Sequence, residues 1–397
     1  MQHSTMDCLP EDLLMQILVK IPCNKSILRC TSVSKSWYSC IKSPVFITLH
    51  LRRKNNDQYL LCDFKSPSGR DRYVSINNDT ESLAERNRLL FPGEQSYGMV
   101  VHGCCNGLVC YTKTYNGPIW LWNPAIRRVK ELPRYKDHGR SCFGLWFDKK
   151  VNDHMVAKIS TGQGLSVDVY SLRTNSWKTI TERVPAKSVS ADRDLAYVDG
   201  KLHWPVGRKG SSGSWMICSL DLKTGILRET LISWNKKLSD LYLTPLGEHS
   251  LAVFGSTDAS DSEGWAARRC CMAQAYDQNM NKLYAIDLER ATSYNLHRVV
   301  GLRNNGEALF LELDSDDSGL VCCNTTTKVS KRFVSRLQYY KLQRVRPFIE
   351  TLILLDDEDA EESITPNLSR LWLCLLPYFL FCSAPVFLVL SVVFNFY

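Results

Sequence analysis

The chain has 397 residues, 44% of them hydrophobic, and Lys+Arg exceeds Asp+Glu by 49 to 41 for a formal net charge of +8. Apolar content on that scale buries a full core, which excludes a disordered polymer and leaves room for a small module plus one large domain. The basic excess is spread along the chain rather than gathered into a block, so it reads as a solvated mixed surface and not as a nucleic-acid interface.

The N-terminal segment is helical in pattern. In the run from Leu9 to Pro22, Pro10 suits a first helical turn, and Glu11 and Asp12 complement the helix dipole there. Leu14, Ile17, Leu18 and Ile21 then recur at i, i+3, i+4 and i+7 until Pro22 ends the helix. Asn24 is placed to cap a short second helix through Ile27 and Leu28. A third carries Val33, Trp37, Cys40 and Ile41 on one stripe and is stopped by Ser43-Pro44. Three helices this short cannot hide all of these apolar groups among themselves, so part of the stripe faces a partner or the rest of the chain.

From Leu49 to Leu355 the pattern changes to short alternating runs broken by turn residues, which predicts an all-β domain. One local theme repeats: strand residues, a turn opened by Asn, Asp or Ser, and a returning strand. The turns open at Asp63, Asn123, Ser171, Asp221, Asp277 and Asn324, a period of roughly 50 residues that falls in the range of propeller blades. Six units predict a six-bladed propeller-like ring; a β-sandwich with coincidental hairpin spacing is the alternative. Trp122, Trp177 and Trp204 each stand beside a turn, where an aromatic packs between blades or contacts a target.

Two segments follow. Asp356 to Glu362 holds six acids in seven residues and, within residues 356–369, reads as a solvated linker. Residues 371–397, Leu371 to Tyr397, carry no charge and exceed the ~20 residues that span a bilayer core, with Pro377 and Pro385 as kinks. This stretch is read as a hydrophobic helix serving as a tail anchor, with a non-native extension such as translated intron sequence and a segment folded back on the β-domain as alternatives.

Chemistry-bearing motifs are sparse. Met1 to Asp12 has no apolar signal-peptide core, so the sixteen cysteines are expected to be reduced. The adjacent pairs Cys104-Cys105, Cys270-Cys271 and Cys322-Cys323 lack zinc-ligand spacing and fit strands, where neighbouring side chains point to opposite faces. The N-x-S/T matches at Asn24, Asn78, Asn324 and Asn367 have no secretory context to act in. No G-x-S-x-G elbow, P-loop, dinucleotide fingerprint or H-E-x-x-H occurs. Gly162-Gln163-Gly164 and Gly210 to Gly213 open no helix that would hold a phosphate. His203 has no nucleophile or ligand partner at useful spacing and reads as a satisfied strand histidine. No catalytic residue, cofactor or metal is expected.

The N-terminal pieces Leu9-Pro10-Glu11-Asp12-Leu13-Leu14, Ile17-Leu18, Ile21-Pro22, Ser26 to Cys30, Val33 to Trp37 and Ser43 to Phe46 resemble an F-box over residues 6–48, with Ser34 where the family commonly has cysteine. Residues 49–355 resemble the kelch-like interaction domain of plant F-box proteins. The matching pieces are Gly103 to Val109, Leu121-Trp122-Asn123-Pro124, Val167 to Tyr170 with Trp177, Gly200 to Trp204, Leu220-Asp221-Leu222 and Thr351-Leu352. Phe143 to Asp148 departs from the family's glycine-rich pattern, and the Gly-Gly pairs of kelch repeats are absent.

The resemblance implies a substrate receptor of an SCF-type ubiquitin ligase. Its F-box would bind a Skp-type adaptor, and through it a cullin and a RING subunit, while the β-domain holds an unidentified target. Leu9, Pro10, Ile17, Leu18, Val33 and Trp37 are the expected adaptor face and its support. The implied location is cytoplasm or nucleus, or a cytosol-facing membrane if the tail anchors. The alternative is a stand-alone propeller, enzyme or lectin-like, which needs a polar site in its channel and no use for the N-terminal helices.

Overall fold

In a computed structural model, the described residues are 10–54, 59–65, 72–77, 85–89, 100–112, 117–135, 141–160, 164–184, 195–207, 215–232, 234, 238, 240–246, 249–260, 266–277, 279–287, 296–302, 307–313, 318–324, 330–334 and 341–353. Leu9, Asn78, Asn367, Gly162, Gln163 and Gly210 to Gly213 lie outside them, as do the acidic linker and the hydrophobic tail. No helix among the described residues is long and apolar enough to cross a membrane.

The N-terminal module has four helices, not three: α1 Glu11–Leu18, α2 Asn24–Cys30, α3 Lys35–Lys42 and α4 Pro44–Lys54. The expected stop at Ser43-Pro44 is also a start. Pro44 takes the first helical position, where its missing N–H costs nothing, and the Ser43 hydroxyl accepts from the Phe46 amide at 3.1 Å. The residues from Leu49 to Lys54 are therefore helical and not strand. Asn24 does not cap α2: it sits inside the helix, buried, with Cys23 at the cap position. Ser34 does cap α3, its Oγ accepting from the Trp37 amide at 3.2 Å. Ser34→Ala is expected to cost about 1 kcal/mol, read as a lower thermal midpoint of the isolated protein; an unchanged midpoint would show that water replaces the cap.

The β-domain holds six four-stranded antiparallel sheets among the described residues. Blade 1 contains β1 Tyr59–Lys65, β2 Arg72–Asn77 and β3 Glu85–Leu89. Blade 2 is β4 Val100–Cys105, β5 Leu108–Thr112, β6 Ile119–Asn123 and β7 Arg128–Glu131. Blade 3 is β8 Ser141–Asp148, β9 Asp153–Ser160, β10 Leu165–Ser171 and β11 Ser176–Val184. Blade 4 is β12 Ala196–Val198, β13 Lys201–Gly207, β14 Trp215–Asp221 and β15 Leu227–Ile232. Blade 5 is β16 Asp240–Leu246, β17 Ser250–Ser260, β18 Ala266–Asp277 and β19 Lys282–Asp287. Blade 6 is β20 Leu296–Leu302, β21 Glu307–Leu313, β22 Ser318–Asn324 and β23 Ser330–Val334. The last strand, β24 Lys341–Phe348, returns to blade 1 and pairs with β1, Tyr59 opposite Phe348. The order there is β24-β1-β2-β3, so the two ends of the domain share one sheet.

First strands of successive blades touch around the ring: β24 with β4, β4 with β8, β12 with β16, β16 with β20, and β20 with β24. Blades 3 and 4 join through a shared core in which Ile159, Val167 and Trp146 meet Leu202, Trp204 and Leu220. The arrangement is a closed β-propeller. Its core lies between blades rather than at one centre, because each sheet offers two apolar faces and only a neighbouring blade can cover them.

Five of the six expected turn openers start the hairpin between the third and fourth strands of a blade: Asn123, Ser171, Asp221, Asp277 and Asn324. Asp221 Oδ1 accepts from the Lys223 and Thr224 amides, both at 2.9 Å, and Gly225 follows at φ +70°. These bonds, the Thr224 amide foremost, hold the Asp221 carboxyl below its usual range. Asp63 is the exception, because it lies on the second strand of blade 1. The three cysteine pairs lie in strands β4, β18 and β22.

Candidate functional site: the helical module and its seat on the ring

The helical module encloses a core of Leu14 and Leu18 from α1, Ile27 from α2, Trp37, Cys40 and Ile41 from α3 and Phe46 from α4. Burial pushes the Cys30 thiol up to about 12, and burial with the nearby Glu11 carboxylate raises Cys40. These are packing thiols rather than nucleophiles. Arg53 of α4 donates to the Val19 carbonyl at 2.6 Å, placing a cation at the C-terminal end of α1.

Two residues of this core come from the ring. Ile126, in the turn between β6 and β7, and Leu352, just past β24, are both buried in it, with Ala125 packed alongside. The module thus sits on the face of the ring that carries the first-to-second and third-to-fourth strand turns of blade 2. Residues 349–353 run beneath it as a strap. Asn123 holds the strap, its amide donating to the Ile353 carbonyl at 3.0 Å and the Thr351 carbonyl at 3.4 Å while its Oδ1 accepts from the Ala125 amide at 3.1 Å. The strap also crosses the β4–β5 turn, where Asn106 and Gly107 have φ of +46° and +80°. A Cβ on Gly107 would stand 2.3 Å from the Ile349 carbonyl oxygen, so only glycine fits there.

The residues expected to meet an adaptor divide into two groups. Leu18 and Trp37 are buried in the module's core and support its surface without presenting themselves. Pro10 is exposed at the start of α1, Ile17 is half-buried, and Val33 is 44% exposed. The position of Leu9 lies outside the described residues. The structure adds Leu13 at 48%, and the exposed Tyr38, Val45 and Leu49. Pro10, Leu13 and Ile17 follow one another at spacings of three and four, a single stripe on α1. Leu13 was legible from that spacing, whereas Val45 and Leu49 become an i, i+4 pair only once α4 is known.

On the ring, Trp122 packs with Tyr59, Leu61 and Phe348 between blades 1 and 2, and Trp204 packs between blades 3 and 4. Trp177 is half-buried between blades 2 and 3, its Nε1 donating to the Pro133 carbonyl at 2.8 Å. His203 is buried with Nδ1 2.8 Å from Ser219 Oγ, so its strand position is satisfied by a hydroxyl on the neighbouring strand. Among the described residues no cluster of three or more His, Cys, Asp or Glu is placed to hold a metal.

Comparison with known proteins agrees with this geometry. Residues 6–52 match the F-box-like family, and residues 59–346 match the F-box associated beta propeller domain. The chain belongs to the F-box associated β-propeller family. An Arabidopsis thaliana F-box/kelch-repeat protein is 28% identical over 56% of this chain and 64% of its own length. A second Arabidopsis thaliana F-box protein is 27% identical over 66% of this chain and 69% of its own. The chain thus spans about two thirds of the length of these relatives. Among solved structures, TolB from Acinetobacter baumannii superposes with a TM-score of 0.50 at 12% identity, covering 80% of this chain and 71% of that one; the likeness is one of fold alone.

Proposed function

We propose that this F-box protein is the substrate-recognition subunit of an SCF-type ubiquitin ligase. The F-box binds a Skp-type adaptor, which connects it to cullin and RING subunits, and the propeller binds the protein to be modified. The observation that carries this reading is the seating of the F-box. It covers the strap on one face of the ring, which leaves to a target the opposite face, where the second-to-third strand connections and the blade-to-blade crossovers emerge. Connections on a rigid scaffold are where propellers build recognition surfaces. The receptor makes and breaks no bond itself in this scheme. It raises the effective concentration of target lysines near the charged conjugating enzyme.

The adaptor contact is assigned to the flank of Pro10, Leu13 and Ile17 with Val33, supported from beneath by Leu18 and Trp37; Leu9, which lies outside the described residues, is included in the proposed face from the sequence alone. Truncating an anchor residue at a buried interface costs about 2 kcal/mol or more, roughly thirtyfold in affinity. Leu13→Ala with Val33→Ala removes exposed groups only, so the double variant is expected to keep its fold and lose a Skp-type adaptor in pull-down. Full adaptor binding by the variant would disprove the assigned face. Failure of the unsubstituted chain to bind any Skp-type adaptor would disprove the receptor reading.

A further inference from the structure

A receptor must do more than hold two partners. If the F-box swings freely on the propeller, the target lysine wanders through a large volume, and the advantage of tethering falls with the volume explored. The joint between the two parts therefore matters, and its construction is unusual in chain order. The F-box enters the ring through the connection between α4 and β1, but what seats it comes from elsewhere: Ala125 and Ile126 from a turn of blade 2, and Leu352 from beyond the last strand of the ring.

We propose that residues 349–353 are a positioning wedge that fixes the orientation of the F-box on the propeller, and that Asn123 and Leu352 are positioning residues for ubiquitin transfer. The inference rests on the receptor reading for its consequence but on geometry for its substance. Successive strap residues face different parts of the molecule. Leu352 enters the F-box core beside Leu14, Leu18, Trp37 and Phe46, while Ile353 packs against the cluster shared by blades 2 and 3 with Leu108, Leu121 and Phe143. Thr351, just before them, is fully buried, and its Oγ accepts from the Ile353 amide at 3.3 Å. The strap is thus gripped on both sides. Neither grip is needed to close the ring, because the pairing of β24 with β1 ends at Phe348.

Asn123 is suited to the task because it does two jobs with two ends of one side chain. Its Oδ1 shapes the blade 2 turn that carries Ala125 and Ile126, and its amide hydrogens bind the strap. The single residue therefore locks together both ring-side contributions to the seat. Asn123→Asp keeps an acceptor for the Ala125 amide but removes the donor and turns a carboxylate toward two carbonyls, so it separates the strap from the turn.

The test is a distance measurement on the full chain. Spin labels on non-canonical residues at the exposed positions Ser39 of the F-box and Lys223 of blade 4 spare the native thiols. The unsubstituted chain is expected to give one narrow distance distribution. Leu352→Ala and Asn123→Asp are each expected to broaden it, with Leu352→Met restoring the narrow form. In a reconstituted ligase the two loosening variants should still bind the Skp-type adaptor but transfer ubiquitin to the receptor's own lysines about tenfold more slowly or worse. A distribution that stays narrow in both variants overturns the proposal. So does loss of adaptor binding in Leu352→Ala, since that would make the strap a support of the F-box fold and not of its orientation. The distances are read without adaptor, so a chain that never binds adaptor would sink the receptor reading while leaving the wedge standing.

Discussion

Replacing Trp122 with alanine is expected to cost about 3 to 5 kcal/mol, the range for truncating a large buried aromatic. The indole is fully buried and reaches across a seam, touching the cluster of Tyr59 and Leu61 from β1 and Phe348 from β24 as well as its own sheet. Its loss leaves a cavity at the place where the ring is closed, and neither sheet can collapse into it without breaking strand pairing. The measurement is urea unfolding of the adaptor-free protein, with a lower midpoint at an unchanged slope. Trp177→Ala provides the internal comparison. That ring is only half-buried and holds one hydrogen bond to Pro133, so a smaller loss is expected. Equal losses at the two sites would show that the depth of burial of the indole does not set the cost of removing it.

Acid is expected to weaken the propeller well before its carboxylates are titrated. Burial lowers His154 from the ordinary imidazole value to about 4, and burial together with Lys201 lowers His203 to about 4. Both are held neutral in the folded chain, whereas the unfolded chain takes up a proton near pH 6.5. The unfolded state therefore binds more protons between about pH 6.5 and pH 4, and stability falls as pH falls through that window. Each shift corresponds to about 3 kcal/mol once pH drops below the folded value. Urea midpoints measured from pH 7 down to pH 4.5 should decline, and His203→Gln should remove its share of the decline while keeping a partner for Ser219. A midpoint that is level across this range in the unsubstituted chain would refute the assignment of both imidazoles as buried and neutral.

Much of this architecture was visible in the residues, and what was hidden has a common cause. Helix α1 announced itself through Pro10, Glu11, Asp12 and the spacing of Leu14 and Leu18, all local signals. The hairpin openers Asn123, Ser171, Asp221 and Asp277 were legible because their side chains or neighbours bind amides within a few residues. Asp63 carries the same local signal and is not in that hairpin. Blade 1 borrows its first strand from the far end of the domain, which shifts every later strand of that blade by one place. No local pattern records such a loan. Ser43-Pro44 signals an end in sequence but is both an end and a beginning, since the same proline that blocks one helix fits the first turn of the next. On the F-box surface, exposure distinguishes Leu13 and Val33 from Leu18 and Trp37, and periodicity alone could not, because apolar groups on the buried stripe and beside it look alike in sequence. The strap was the least legible feature. Asn123 meets Thr351 and Ile353 across more than two hundred residues, and its role in opening a turn was sufficient reason for its presence.

The pairing of β24 with β1 also sets a schedule for the newborn chain. Tyr59 emerges from the ribosome long before its partner Phe348. At about 5 to 20 residues per second, β1 waits roughly a quarter of a minute to a minute for the strand that completes its sheet. During that interval blade 1 has an open edge and the seam around Trp122 lacks Phe348, while the four F-box helices depend mainly on contacts close in sequence. Such non-local closure is slow and leaves an adhesive strand edge exposed. The F-box is therefore ready before the propeller is closed, and a chaperone has its best opportunity to engage while the ring is still unfinished.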